Sequence, residues 1–151
     1  MFNSDNWNYP DPYVIEVDVK TTDLDSYGHV NNAVYMRWMD ECARAHSKAV
    51  GIDCDEAQDY GFGMAVRESR IRYLSAAFEG EKLLIGNWIG HNDGRLRINR
   101  VFQIIRPKDE MTLLSANLDY VCINIDTGRA SKMPDLFHEV YATNLGKVEI
   151  F

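Results

Sequence analysis

The sequence predicts an α+β fold in which one long helix lies against a five-stranded antiparallel sheet. Three observations carry that reading. A strand-like segment precedes a single long amphipathic stretch, the chain after it is almost entirely β in character, and the later strands are joined by turns and not by helices. With only one long helix available, repeated parallel βαβ units are excluded, and one helix against one antiparallel sheet is the simplest way to bury both apolar surfaces.

The first strand is Tyr13 to Lys20, where Tyr13, Ile15, Val17 and Val19 share one face and Glu16, Asp18 and Lys20 the other, the alternation of a half-buried strand. The helix follows an acidic turn. Val30, Val34, Trp38, Cys42, Ala45 and Ala49 recur at near-helical spacing, and Met39 and Ala43 widen the stripe. Lys48 and then Gly51 form a C-terminal stop. The helix is expected to run about 18 to 20 residues, roughly 30 Å at 1.5 Å per residue.

Residues 52 to 64 read as a mixed loop or short helix. Four strands are then expected at Ala65 to Leu74, Lys82 to Gly90, Leu96 to Ile105 and Leu113 to Ile125. Asn92-Asp93-Gly94 is a strong hairpin signal. Pro107-Lys108-Asp109-Glu110 joins the next pair, and Asp126-Thr127-Gly128 closes the last strand. Pro134 to Tyr141 reads as a short helical turn, followed by a tail.

The 151 residues are one domain's worth of chain, and 46% hydrophobic against 26% charged residues describes a globular protein that buries a real core. We therefore expect a single domain over residues 1–151. No apolar run approaches the ~20 residues of a membrane span, and Met1 to Pro10 lacks a basic-then-apolar leader pattern. A cytoplasmic protein without a membrane partner is expected. The net charge of −7 argues against nucleic acid as a partner, because that needs a basic face, although local arginines could still hold one phosphate. Cys42, Cys54 and Cys122 are odd in number and form no CxxC pair, and His29, His46, His91 and His138 lack metal-ligand spacing. Neither a disulfide framework nor a metal or other cofactor is expected.

The most informative stretch lies between the first strand and the helix: Asp23-Leu24-Asp25-Ser26-Tyr27-Gly28-His29-Val30-Asn31-Asn32-Ala33-Val34-Tyr35. It sets carboxylates, an imidazole and a helix N-terminus within a few residues of each other. The first amides of a helix are unpaired and sit at the positive end of its dipole, so they can polarise a carbonyl.

This stretch closely resembles the signature of acyl-thioesterases of the hotdog fold, and strand, acidic turn, long helix and antiparallel meander is that fold's element order. The resemblance is to 4-hydroxybenzoyl-CoA thioesterase-like acyl-CoA hydrolases and to plant acyl-carrier-protein thioesterases. Ile71-Arg72-Tyr73-Leu74-Ser75-Ala76-Ala77 with Gly80-Glu81 looks like the family's second strand and following turn, and Thr127-Gly128-Arg129 like its end-of-sheet turn. The resemblance spans about residues 13 to 133. It implies a hotdog domain whose sheet wraps one central helix, and an activity that turns an acyl thioester and water into a carboxylic acid and a free thiol.

The resemblance also assigns roles. Asp25 matches the catalytic carboxylate, acting as general base or as nucleophile. His29 matches a histidine that orients the thioester or assists proton transfer. The backbone amide of Asn32 is the one nearest the thioester oxygen. Gly28 and Tyr35 fall where relatives contact substrate. Beside these stand plainer readings. Asp25 alone would be an Asx-turn residue, His29 a satisfied polar residue, the Asn31 and Asn32 side chains helix caps, and Tyr35 and Trp38 core. Asp23 reads as a structural residue that holds the turn through backbone bonds. Tyr27 stands where the plant enzymes carry an asparagine that supports the site, which favours a scheme of carboxylate and helix amides alone.

The implied substrate is an acyl-CoA or an acyl-carrier-protein thioester. The acidic charge disfavours the latter, since carrier proteins are usually acidic too. Arg129 and Lys132 are candidates to grip a CoA phosphate, and Trp38, Met39, Phe62, Met64 and Tyr73 are candidates to set pocket depth. Glu68, Arg70 and Arg72 alternate on one strand face, as a salt-bridge ladder or as a partner-subunit contact. Relatives pair edge to edge through the second strand, here residues 65 to 74, so a homodimer or homotetramer is expected. Two other functions share the fold: a hydratase or dehydratase acting on acyl-CoA, and a non-catalytic acyl-CoA-binding module. A carboxylate beside the thioester has no purpose in a binding-only module.

Overall fold

The computed structural model of the chain describes residues 4–143. Its elements are β1 (Tyr13–Asp18), α1 (Asn32–Val50), α2 (Ala57–Tyr60), β2 (Phe62–Tyr73), β3 (Lys82–Asn92), β4 (Arg97–Arg106), β5 (Met111–Asn124) and α3 (Asp135–Val140), with short 3-10 turns at Thr21–Asp23 and Cys54–Glu56. The five strands form one sheet in the order β1-β3-β4-β5-β2. β1 pairs antiparallel with β3, from Tyr13 opposite Asn87 to Asp18 opposite Lys82. At one end of β2 the Leu74 amide donates to the Leu113 carbonyl at 2.8 Å, and at the other the Ile125 amide donates to the Gly61 carbonyl at 3.0 Å. β2 therefore runs antiparallel to β5 and forms the far edge.

The long helix runs the expected length, and Gly51, at φ +111°, ends it. The inward face differs in detail from the expected stripe. Ala49 is exposed and Ser47 is buried. Ser47 tolerates burial because its hydroxyl meets the Tyr141 hydroxyl at 2.7 Å and accepts from Arg100 Nη2 at 3.1 Å. Strand ends also shift. β1 stops at Asp18, short of Lys20. β2 begins at Phe62 and not at Ala65, because Gly61 caps α2 in the left-handed region at φ 76° and turns the chain straight into the strand. The segment after Pro134 is helical, as α3. Most of the expected tail lies outside the described residues.

Contacts divide the chain into two compact units. The first holds residues up to Ala43 with Ile71–Asn87 and Phe102–Ala116, and the second holds Arg44–Arg70, Trp88–Val101 and the chain from Asn117. In the first unit, the Cys42 thiol on α1 donates to the Ile85 carbonyl at 3.4 Å, and Met39, Leu83, Ile85, Phe102 and Leu113 are fully buried. The segment before β1 packs onto this unit. The Trp7 ring lies so close to β3 that a Cβ at Gly86 would stand 2.6 Å from it, which is why a glycine interrupts an otherwise bulky strand. Gln103 holds the same segment, accepting from the Asn8 amide at 2.8 Å and donating to the Asn6 carbonyl at 3.0 Å.

The second unit is built on a cluster of Ile52, Ile89, Ile98, Cys122, Met133, Phe137 and Tyr141. Burial pushes the Cys122 thiol up to about 11, so it is an inert core group at neutral pH. Among the described residues no helix is long and apolar enough to cross a membrane.

Phe137 anchors α3 in that cluster and is 2% exposed. Phe137→Ala should cost about 3 to 5 kcal/mol of stability, read as a lowered midpoint in urea denaturation.

Candidate active site

The turn before α1 is closed by backbone bonds. The Asp25 amide donates to the His29 carbonyl at 2.7 Å, the Gly28 amide donates to the Asp25 carbonyl at 3.1 Å, and Leu24 and Val30 form an antiparallel bridge. Gly28 takes φ 77°, the left-handed conformation that the tight reversal requires and that glycine adopts without strain. His29 is thereby carried back beside the first residue of the loop.

Asp25 adopts the Asx turn, the plainer of its two readings. Its Oδ1 accepts from the Tyr27 amide at 2.8 Å and from the His29 amide at 3.2 Å, as in an Asx turn. Its Oδ2 meets no hydrogen-bond donor among the described residues. One oxygen thus fixes the orientation of the carboxylate.

Asp23 is 4% exposed and braces the turn. Oδ2 accepts from the Lys20 amide at 2.9 Å and Oδ1 from Arg37 Nη2 at 2.9 Å, while its carbonyl accepts from the Asn31 amide at 2.9 Å. A buried carboxylate with two donors, one of them a guanidinium, has its charge satisfied in place.

At the mouth of α1, Asn31 acts as the cap. Its Oδ1 accepts from the Ala33 amide at 3.0 Å and its carbonyl from the Val34 amide at 2.9 Å. The Asn32 side chain does not share this task. The Asn32 amide donates to no acceptor among the described residues, and the residue is exposed. It is a free donor at the positive end of a 19-residue helix.

The segment between β2 and β3 forms the wall of this site. The Ala77 carbonyl accepts from the Val30 amide at 3.0 Å, and the Ala77 amide donates to the Tyr35 hydroxyl at 3.3 Å. The His29 ring stands edge-on to Phe78 with centroids 5.1 Å apart, and Phe78 is 45% exposed. Tyr35 is 3% exposed and packs edge-on to Trp38 at 5.5 Å and tilted against Tyr73 at 5.8 Å. Burial pushes the Tyr35 phenol up, against the opposing effect of the Ala77 amide, so it stays a neutral hydroxyl.

The turn brings Asp25, Gly28 and His29 together, Asn32 opens α1 directly after it, and Tyr35 is a buried packing residue that also accepts a backbone bond. Phe62 and Met64 pack on the Ile52 and Phe137 cluster of the second unit. In the first unit, Trp38 and Tyr73 gather on Tyr35. Arg129 and Lys132 are exposed on the segment after β5. Glu68 and Arg70 form an ion pair at 2.8 Å on exposed β2. Sequence reasoning placed Ala77 only within the segment that resembles the family's second strand and turn, and missed Phe78, which follows it. Among the described residues no cluster of three or more His, Cys, Asp or Glu could hold a metal ion.

A family profile described as the thioesterase-like superfamily matches residues 19–140. A chloroplastic acyl-acyl carrier protein thioesterase of Arabidopsis thaliana is 32% identical over 71 residues, which is 47% of this chain and 37% of the relative. The chain spans under two fifths of the length of the curated relatives it matches. Among solved structures, a 1,4-dihydroxy-2-naphthoyl-CoA thioesterase from Synechocystis superposes with a TM-score of 0.78 at 17% identity, covering 87% of this chain and 96% of that one. A Staphylococcus aureus protein crystallised in complex with CoA superposes with a TM-score of 0.78 at 17% identity, covering 86% of this chain and 81% of its own. At such identities the likeness is one of fold, and that fold is the expected hotdog arrangement of one antiparallel sheet and one long helix.

Asp23→Ala strips the Lys20 amide and Arg37 of their partner and should cost about 1 to 3 kcal/mol, measured by chemical denaturation. Tyr27 is 83% exposed, and Tyr27→Ala should change stability by less than about 0.5 kcal/mol in the same assay.

Proposed function

The chain belongs to the thioesterase-like superfamily, and we propose that it hydrolyses an acyl thioester to a carboxylic acid and a free thiol. The observation that carries the reading is the pairing of an oriented carboxylate with an unused helix amide: Asp25 has one oxygen fixed by two amides and one without a donor, and the Asn32 amide is free at the mouth of α1.

In this reading the thioester carbonyl oxygen accepts from the Asn32 amide, which strengthens its bond as negative charge develops there. Asp25 either removes a proton from the attacking water or attacks the carbonyl carbon itself, forming an anhydride that water then opens. In both routes the C–S bond breaks, the sulfur leaves as thiolate and takes up a proton, and the acid is released. The His29 imidazole, held against Phe78, orients the thioester or carries that proton. Gly28 leaves the rim of the turn open to the substrate, since nothing stands within 4 Å of where its Cβ would be.

The substrate class we assign is acyl-CoA or the matching carrier-protein thioester, which share the same phosphopantetheine arm. Support comes from the relatives: one neighbour in fold was crystallised with CoA, and the curated relatives act on acyl-acyl carrier protein. A second copy of the chain is the partner we assign to the edge strand β2. Its twelve residues end one side of the sheet, Val66, Tyr73 and Leu74 are exposed on or beside it, and an open edge of that length is a liability unless paired.

Free-thiol release from short, long and aromatic acyl-CoAs and from acyl-carrier-protein thioesters tests the reading. Wild type should turn over at least one substrate, and Asp25→Asn should lose 100-fold or more in kcat, the scale of a lost acid-base group. A folded wild-type protein that releases no thiol from any of them would overturn it.

A further inference from the structure

The segment from Ser75 to Glu81 packs against one side of the turn that carries the proposed site. Ala77 holds the Val30 amide and the Tyr35 hydroxyl, and Phe78 holds the His29 ring. The segment is therefore a clamp on the catalytic turn, and its own rigidity decides how well the turn is placed.

One guanidinium braces the middle of the segment. The Arg106 side chain, at the end of β4, is 12% exposed and faces the segment. Its Nη1 lies 3.1 Å from Glu81 Oε2 and donates to the Ala76 carbonyl at 3.3 Å. Glu81 Oε1, in turn, accepts from the Phe78 amide at 2.6 Å. On its outer side the guanidinium forks onto Asp109, with Nε to Oδ1 at 3.0 Å and Nη2 to Oδ2 at 2.8 Å. The path from Arg106 through Glu81 to Phe78 and His29 consists of contacts at hydrogen-bond or ring-packing distance throughout.

A structural ion pair on a surface loop has no need for this arrangement. The loop ends are already tied: the Val19 amide donates to the Glu81 carbonyl at 2.9 Å, the Gly80 amide to the Val19 carbonyl at 2.9 Å, and the Ser75 amide to the Leu113 carbonyl at 3.2 Å. What Arg106 and Glu81 add is control of the middle, residues 76 to 78, where the clamp meets the turn. We infer that Arg106 and Glu81 are positioning residues that set the placement of His29 and of the mouth of α1 by fixing Ala76 and Phe78. For its effect on turnover the inference rests on the thioesterase reading.

The test compares Arg106→Met, Arg106→Lys, Glu81→Gln and Phe78→Leu with wild type, using thiol release and the imidazole resonances of His29 in NMR. Loss of the brace should lower kcat by ~10- to 100-fold, the scale of a small misplacement at a reacting centre, with KM changed less than about threefold. Arg106→Lys keeps the charge without the fork and should recover part of the loss. The His29 signals should shift in Arg106→Met and Phe78→Leu. Lys82→Met removes a neighbouring surface ion pair with Asp18 and should leave both readouts as in wild type.

Folded Arg106→Met and Phe78→Leu proteins with wild-type kcat and unmoved His29 signals would overturn the inference. So would equal losses in Lys82→Met, which would mark a general effect of charge on this surface. Phe78 is partly exposed, so its variant keeps the test open if Arg106→Met fails to fold. Should wild type release no thiol, the thioesterase reading falls and the His29 resonances alone decide the brace.

Discussion

The backbone of Ala77 holds the mouth of the long helix. Its carbonyl takes the Val30 amide and its amide is given to the Tyr35 hydroxyl, so one residue is bonded to the chain just before α1 and to its first buried turn. Neither bond is strong by itself, on the order of 1 kcal/mol net. Their effect is geometric. Asp25 to His29 is a partly exposed loop that bonds mostly to itself, and Ala77 and Asp23 anchor the chain on either side of it to the rest of the fold. The two anchors act on opposite sides of the turn: Asp23 grips Lys20, Asn31 and Arg37, and Ala77 grips Val30 and Tyr35. A turn fixed at both ends can hold a carboxylate and a free amide in a constant relation, which preorganised catalysis requires.

Much of this was legible in the sequence, and the reason is locality. The helix, its glycine stop, the hairpin glycines and the Asp25 turn are decided by residues within a few positions of each other. Asp25 is instructive because its two readings do not exclude each other: the Asx turn engages Oδ1 and leaves Oδ2 for the proposed role. The features that escaped depend on distant pairing. Nothing near Gly86 announces Trp7, seventy-nine positions earlier, yet that ring explains the glycine. The inward turn of Ser47 depends on Tyr141 and Arg100. Arg106 reads as one more charged residue before a turn until Glu81 and Ala76 are seen beside it. The sheet order is of the same kind, since alternation tells which residues share a face but not which strands are neighbours.

The two ends of α1 are treated differently, and the contrast bears on function. A helix usually gains from acidic residues in its first turn and basic ones in its last. Here Lys48 stands in the last turn, but the first turn carries no acidic side chain. Asp23, which precedes it, has its charge committed to Arg37. The cap Asn31 satisfies the Ala33 and Val34 amides with neutral oxygens and leaves the Asn32 amide over. An acidic residue at 33 or 34 would stabilise the helix by a few tenths of a kcal/mol to about 1 kcal/mol. It would also set a fixed negative charge at the positive end of the dipole. Under the proposed reaction that charge would oppose the oxyanion, so the bare first turn forgoes a small stabilisation at a place where local stability and catalysis would compete for the same few atoms.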